Sequence, residues 1–347
     1  MRALVRREYG SPDVLQLEEI RKPDPRDDEL LIRVHAMSLN LGDWELLTGE
    51  PIFISVIATL LSRRPRVQPI LLADDGTEAP HPESRGLLSP KHKILGTDIS
   101  GRVEAVGKNV TQFQPGDELF GMCDFCGLAE YVCVPEKTEL AHKPAGMTFE
   151  EAAAIPQAAF IALQALRDRE RVQPGRRVLI NGAGGGAGTF GVQIAKLLGA
   201  EVTAVDNTTK LDMMRSIGAD QVIDYTQDDF TQTEERYDLI LDLAAHRSIF
   251  DFKRILAPDG IYLLAGGGLG PTLQAAFLGP LISRTGSQKI VFLLAAPKRE
   301  DLVHMTELHA AGTVLPVIDR SYPLAEGAEA FRLVGAGLSK GKVVITL

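Results

Sequence analysis

The chain is poor in cysteine. Its 347 residues contain only Cys123, Cys126 and Cys133. So few thiols exclude a disulfide scaffold and fit a reducing compartment. Positive charge is also in deficit, with 37 Lys and Arg against 46 Asp and Glu and a formal net charge of −9. No basic stripe offsets that balance, which excludes general nucleic-acid binding. Long apolar runs are lacking. The apolar stretch from Ile52 to Leu61 is too short to cross a bilayer as a helix, so no membrane span is expected. The opening MRALVRREYG has no apolar signal core, and a cytoplasmic location is the expectation. What is present is a soluble composition, 45% hydrophobic and 24% charged, in a chain long enough for two domains.

Glycine is concentrated in one place. The run INGAGGGAG at 180–188 follows RRVLI, which reads as a buried strand, and opens onto TFGVQIAKLLGA, which reads as a helix. Glycines at a strand-to-helix turn let the backbone approach a pyrophosphate, and the helix start binds that anion through free N–H groups and its dipole. Two registers fit. One runs Gly182, Gly184, Ala187, and the other runs Ala183, Gly185, Gly188. A second apolar run, EVTAV, ends in Asp206, 18 residues after Gly188. That is close to the spacing of about 20 residues expected for the carboxylate that holds an adenosine ribose. The expectation is a dinucleotide site for a nicotinamide cofactor.

Patterning divides the rest. ELLIRVHAMSLN, ISGRVEAVGKNV, VTQFQPGDELFGM and LAEYVCVP read as strands and turns of a compact, barrel-like β domain. Thr148 and Glu151 fit a capping box ahead of the apolar EAAAIPQAAFIALQALRDRE. From Arg177 onward, strands (RVLING, EVTAVD, QVIDY, YDLILDLA, GIYLLAGG) alternate with helical segments, which predicts a parallel sheet wound with helices. KIVFLL and GKVVITL read as strands and REDLVHMTELHAAG as a helix. The expected division is 1–148, 149–285 and 286–347, the last part rejoining the first domain. The segment 50–93 is irregular and reads either as a lid over a substrate pocket or as a surface excursion or subunit contact.

Together, SLNLGDW, ILGTDISGRVEAVGKNVTQFQPGDELFG, AEYVCVP, EEAAAIPQAAFIALQAL, PGRRVLINGAGGGAG, AKLLGAEVTAV, GADQVIDY and LSKGKVVITL resemble the zinc-free quinone oxidoreductase branch of the medium-chain dehydrogenase/reductase superfamily. The matches run in family order over nearly the whole chain. The C-terminal half is also similar to reticulon-interacting oxidoreductases and bacterial NAD(P)-dependent alcohol dehydrogenase-like proteins. The resemblance implies an α/β protein with a GroES-like β-barrel domain and a Rossmann doubly wound parallel-sheet domain, and an active-site cleft between them. It also implies a homodimer, with KIVFLL as a candidate edge strand for pairing; a plain core strand is the rival reading.

Zinc-dependent relatives carry a cysteine near Leu39 and Asn40, and Gly-His-Glu where this chain has Gly96-Thr97-Asp98. Asp98 alone cannot form a tetrahedral site, and three thiols make a weak structural one, so no metal is expected. The cofactor is expected to be NAD(H) rather than NADP(H), because Asp206 can accept from ribose hydroxyls and would repel a 2′-phosphate. The cofactor set is Asn40, Gly184, Gly185, Gly186, Ala187, Gly188, Asp206, Lys210, Tyr225, Leu243, Ala244, Ala265, Gly266, Phe292, Leu293 and Lys342. In it, Asn40, Lys210, Tyr225, Phe292, Leu293 and Lys342 rest on the resemblance, while Leu243, Ala244, Ala265 and Gly266 lie at strand ends where such sheets bind ligands. For Phe292 and Leu293 a core position is the rival reading, and for Lys210 and Lys342 a surface charge. Asn40, Asp43 and Trp44 are the candidates for positioning substrate and nicotinamide. Asp43 reads as a proton relay or a turn residue, and Trp44 as a stacking face or as packing. The expected activity is hydride transfer to a small-molecule acceptor, a quinone or other conjugated carbonyl. The alternatives are an enone or aldehyde reductase or alcohol dehydrogenase of the same fold, and a cofactor-binding interaction protein without turnover.

Overall fold

The computed structural model describes residues 1–49, 90, 92–123, 125–168 and 171–347. All of the irregular segment 50–93 except Pro90, His92 and Lys93 lies outside the described residues. Two units make up the chain. The first is Met1–Gln157, Pro297–Thr306 and Ile318–Leu347, and the second is Ala158–Ala296 and Glu307–Val317.

The first unit opens with a hairpin-like pair, β1 (Arg2–Val5) antiparallel to β2 (Gln16–Glu19). Its central strand is β3 (Glu29–Leu39), in which nine of eleven residues are buried. Burial on both faces explains why ELLIRVHAMSL shows no clean alternation, as expected of a covered strand. Helix α1 (Leu41–Thr48) starts at Asn40 and stops at Gly49, whose φ of +79° is the left-handed C-terminal cap that glycine adopts without strain. Strands β4 (Asp98–Val106), β5 (Glu118–Met122), β6 (Tyr131–Pro135) and β7 (Leu140–His142) follow, and β6 pairs with β3. Helix α2 (Phe149–Ala154) carries the reciprocal Thr148–Glu151 capping box expected from the sequence. The apolar run continuing from it is two helices rather than one. Proline has no N–H to donate, so the helix ends at Ile155 and α3 (Pro156–Leu166) begins with the proline at its first position.

The second unit is built on β8 (Arg177–Asn181), α4 (Gly186–Leu197), β9 (Glu201–Asp206), α5 (Leu211–Ser216), β10 (Gln221–Asp224), β11 (Tyr237–Asp242), α6 (Ile249–Ile255), β12 (Leu256–Leu264), α7 (Leu269–Thr285) and β13 (Lys289–Phe292). The strands form one parallel sheet in the order β10-β9-β8-β11-β12-β13. The order reverses between β8 and β11, the switch point at which such sheets bind nucleotides. Val178, Leu179, Ile180, Ile240 and Leu241 are fully buried. Each such side chain contributes about 1.5–3 kcal/mol, so a truncation here weakens the base of the site.

After α8 (Arg299–Ala310), the chain supplies β14 (Ile318–Pro323), α9 (Gly327–Gly335) and β15 (Lys342–Thr346). β15 lies between β14 and β3, completing the seven-stranded sheet of the first unit.

Candidate functional site

The glycine turn is built as a close approach. Gly182 has φ +81°, a left-handed conformation that lets the chain leave β8 sharply. A Cβ on Gly188 would lie 2.2 Å from the Gly182 carbonyl oxygen, so this position tolerates only glycine against the strand. Gly185 caps α4 with no side chain, and the first-turn N–H groups of Gly186, Ala187 and Gly188 have no intrahelical acceptor. An anion-binding helix start of this kind fits a dinucleotide pyrophosphate.

Asp206 is tied inward. Its Oδ2 accepts from Gly184 N at 2.9 Å, and its Oδ1 accepts from Asn207 N at 2.8 Å and Asn207 Nδ2 at 3.2 Å. Lys210 Nζ stands 3.3 Å from Oδ1, and both residues are buried. A Cβ on Gly184 would meet Asp206 Oδ2 at 2.9 Å and the Lys210 side chain at 2.5 Å. The glycine therefore serves the contact with β9 as well as the turn. Tyr225 follows β10 and is half exposed, with its N–H donating to the Asp206 carbonyl.

The opposite wall is legible in the sequence only in part. Leu243 and Ala244 follow β11 next to Gly182, Ala265 and Gly266 follow β12, and Phe292 and Leu293 are half-buried at the end of β13. Beneath this wall lies a cluster that sequence reasoning misses. Asp242 accepts from Asn181 Nδ2 (2.8 Å), Ala244 N (3.2 Å), Ala245 N (2.8 Å) and the Tyr262 hydroxyl (2.7 Å). The signal available for it is a carboxylate ending an otherwise apolar buried strand, with Asn181 at the same level of its neighbour.

The first unit gathers a second polar set. Asn40 Nδ2 donates to Asp98 Oδ2 (3.0 Å) and Thr97 Oγ1 (3.3 Å), while Lys342 Nζ donates to Asn40 Oδ1 (2.6 Å). Lysine can only donate and a carboxylate can only accept, so these partners fix which way the Asn40 amide faces. Lys342 Nζ is 3.6 Å from Asp98 Oδ2, with 2% and 0% of the two side chains exposed. Burial raises the pKa of Asp98 and lowers that of Lys342, and their mutual attraction opposes both shifts. Among the described residues, Asp98 Oδ1 is buried without a hydrogen-bond partner. Lys342 is thus an interior cation rather than a surface charge.

Asp43 accepts from Asn40 N (2.9 Å) and Gly96 N (3.2 Å), joining the two turns that carry Asn40 and Asp98. Its burial pushes its pKa up to about 7. Trp44 packs on α9, where a Cβ on Gly335 would lie 2.3 Å from the indole ring. Among the described residues, no group of three or more His, Cys, Asp or Glu is arranged to hold a metal ion. None of the three cysteines is in a disulfide, and burial pushes Cys133 up to about 12.

A GroES-like sheet and a doubly wound nucleotide sheet in one chain define a medium-chain dehydrogenase/reductase. Residues 26–165 match the alcohol dehydrogenase GroES-like domain family, and residues 217–345 match a family described as zinc-binding dehydrogenase. The chain is 30% identical over 348 residues to the chloroplastic quinone-oxidoreductase homolog of Spinacia oleracea, covering 97% of this chain and 95% of that protein. It is also 30% identical over 381 residues to the mitochondrial NAD(P)H oxidoreductase RTN4IP1 of Bos taurus, covering 100% and 89%. The quinone oxidoreductase structure from Coxiella burnetii superposes with a TM-score of 0.81 at 26% identity, covering 100% of this chain and 99% of that one. The chain belongs to the quinone oxidoreductase branch of the superfamily and is an NAD(P)H-dependent oxidoreductase.

Proposed function

We propose that the protein passes a hydride from NADH to a quinone or another conjugated carbonyl, without a catalytic metal. The observation that carries this reading is the polar set around Asn40. An oriented amide, Asn40, lies near the place where the resemblance puts the cysteine of metal-dependent relatives, Thr97 takes the place of their histidine, and a buried ammonium, Lys342, is joined to both Asn40 and Asp98. A bound nicotinamide supplies the hydride. Lys342 is the cation of this set and stabilises negative charge developing on an acceptor oxygen. Conjugation spreads that charge over the acceptor, which removes the need for a Lewis acid. Asp43 holds the Asn40 turn in place as a positioning residue.

The preference for NADH is supported by Asp206, whose carboxylate disfavours a 2′-phosphate, and by its capture of Lys210. A homodimer joined through β13 is supported by the position of that strand at the end of the sheet. Phe277 and Leu281 on the preceding α7 are 74% and 60% exposed. Light scattering of the purified protein tests the dimer, with Phe277→Glu plus Leu281→Glu expected to give a monomer that still binds cofactor. The Spinacia oleracea relative is chloroplastic and the Bos taurus relative mitochondrial, and cell fractionation tests a cytoplasmic location for this chain.

The activity is tested by oxidation of NADH and NADPH against a panel of quinones, enones, aldehydes and alcohols. Faster turnover of quinones with NADH is expected. Cofactor binding without turnover of any acceptor would sink the reading.

A further inference from the structure

The second unit buries three carboxylates at the C-terminal ends of its strands, and they are treated differently: Asp224, on the edge strand β10, accepts from Thr208 and Thr226. Asp206 is matched by the Lys210 ammonium at 3.3 Å. Asp242 is fully buried, and among the described residues no lysine, arginine or histidine forms an ion pair with it. All four of its partners donate: an amide nitrogen, two backbone N–H groups and a phenol. The amide and the two backbone N–H groups can only donate, and all three converge on Oδ1, which favours the ionised carboxylate. Burial raises the pKa of the carboxyl, and the hydrogen bonds from Tyr262, Ala245, Asn181 and Ala244 oppose that rise without cancelling it.

Its position is equally specific. Asp242 ends β11, level with Asn181 at the end of β8 and Leu264 at the end of β12. The N–H groups it holds belong to Ala244 and Ala245, and Ala245 has a left-handed φ of +40°, unusual for a residue with a Cβ. From above, Gly267 closes on the same loop, since a Cβ there would lie 2.4 Å from the Ala244 carbonyl oxygen. The loop is therefore clamped beside Gly182, the first residue of the nucleotide turn.

We propose that Asp242 is a positioning residue whose uncompensated charge favours the oxidised, cationic nicotinamide over the reduced, neutral ring, and so makes the bound cofactor a stronger hydride donor. The inference rests on the reading of this unit as a nicotinamide dinucleotide site. The pyrophosphate feels the same charge in both redox forms, so its repulsion cancels in their ratio. Only the ring charge differs, and a charge in a low-dielectric interior acts on it over several ångströms.

The test is the ratio of dissociation constants, Kd(NAD+)/Kd(NADH), measured by calorimetry and fluorescence on the whole purified protein. Asp242→Asn is expected to raise that ratio about tenfold, a shift of about 30 mV for a two-electron couple. Tyr262→Phe keeps the charge and is expected to leave the ratio within about twofold of wild type. The NADP+/NADPH pair must show the same change, because its ring carries the same charge, and this holds whichever form wild type prefers. Equal weakening of both redox forms in Asp242→Asn would mean a purely structural role and overturns the proposal. Wild-type protein that binds neither dinucleotide overturns the dinucleotide reading and this inference with it. If Asp242→Asn does not fold, Asp242→Ser, a smaller neutral side chain, is read in the same way.

Discussion

The ammonium of Lys210 lies 3.3 Å from the Asp206 carboxylate, with 6% and 7% of the two side chains exposed. The pairing keeps the Lys210 ammonium engaged with the acid, so it is not offered to a ligand phosphate. Removing the acid does two things at once. It deletes the repulsion of a 2′-phosphate and releases a lysine to bind one. Asp206→Ala is therefore expected to raise kcat/KM for NADPH relative to NADH by about tenfold or more. Adding Lys210→Ala should cancel most of that gain. Steady-state rates with both cofactors read the outcome, and an unchanged ratio in the single variant rejects the assignment.

Lys342 offsets two buried acids. Lys342→Met leaves Asp98 and Asp43 without their cation and is expected to cost about 3–5 kcal/mol of stability. Lys342→Met with Asp98→Asn should recover part of that loss, since the unpaired charge goes with its partner. Denaturant midpoints for the two single variants and the double complete the cycle. Simple additivity would show that the 3.6 Å contact carries no coupling.

Asn40→Ala removes the amide shared by Lys342 and Asp98. A drop of about 100-fold in kcat/KM for the best acceptor is expected, the scale of one oriented polar group lost from a reacting site. Cofactor Kd measured alongside separates loss of turnover from loss of binding. Activity within about threefold of wild type would remove Asn40 from the site.

Asp43 makes stability depend on pH in an unusual direction for a carboxylate. Its folded pKa of about 7 lies above the ordinary value of 3.8. Between those values the folded state holds the proton more tightly than the unfolded chain, so this group's contribution falls as pH rises from about 4 to about 7 and is flat above. Asp43→Asn removes that dependence. Urea midpoints of wild type and variant at pH 5 and pH 7.5 are expected to diverge with increasing pH in favour of the variant. Parallel changes in the two proteins would place the titration elsewhere.

Local features are legible in the amino-acid sequence by itself. The turn glycines, the strands of the parallel sheet and the Thr148–Glu151 cap each depend on neighbours a few residues away. Helix α7 is hard to see there because Gly270, Pro271, Gly279 and Pro280 break its pattern, although it spans 17 residues. The partners of Asn40 are hidden for a different reason. Asp98 stands out in the sequence only as a poor metal ligand, and Lys342 joins it from the far end of the chain. Asp242 sits inside an apolar run, where its need for donors can be inferred but not their identity. Asp206 is recognisable as an acid at the right place, yet its ties to Gly184 and Lys210 depend on how tightly the turn folds back.

Lys342 follows Asn40 by 302 residues, and the strand it begins lies inside the sheet rather than at its edge. The order of synthesis therefore matters. A ribosome delivers both acids of the cluster long before the base that balances them. Until β15 inserts beside β3, the first unit holds an open seam and two carboxylates with no ammonium between them. Completion of this unit waits for residues 342–346 to be made. A chain cut short before residue 342 would be exposed to proteolysis at that seam, even with its nucleotide sheet fully formed.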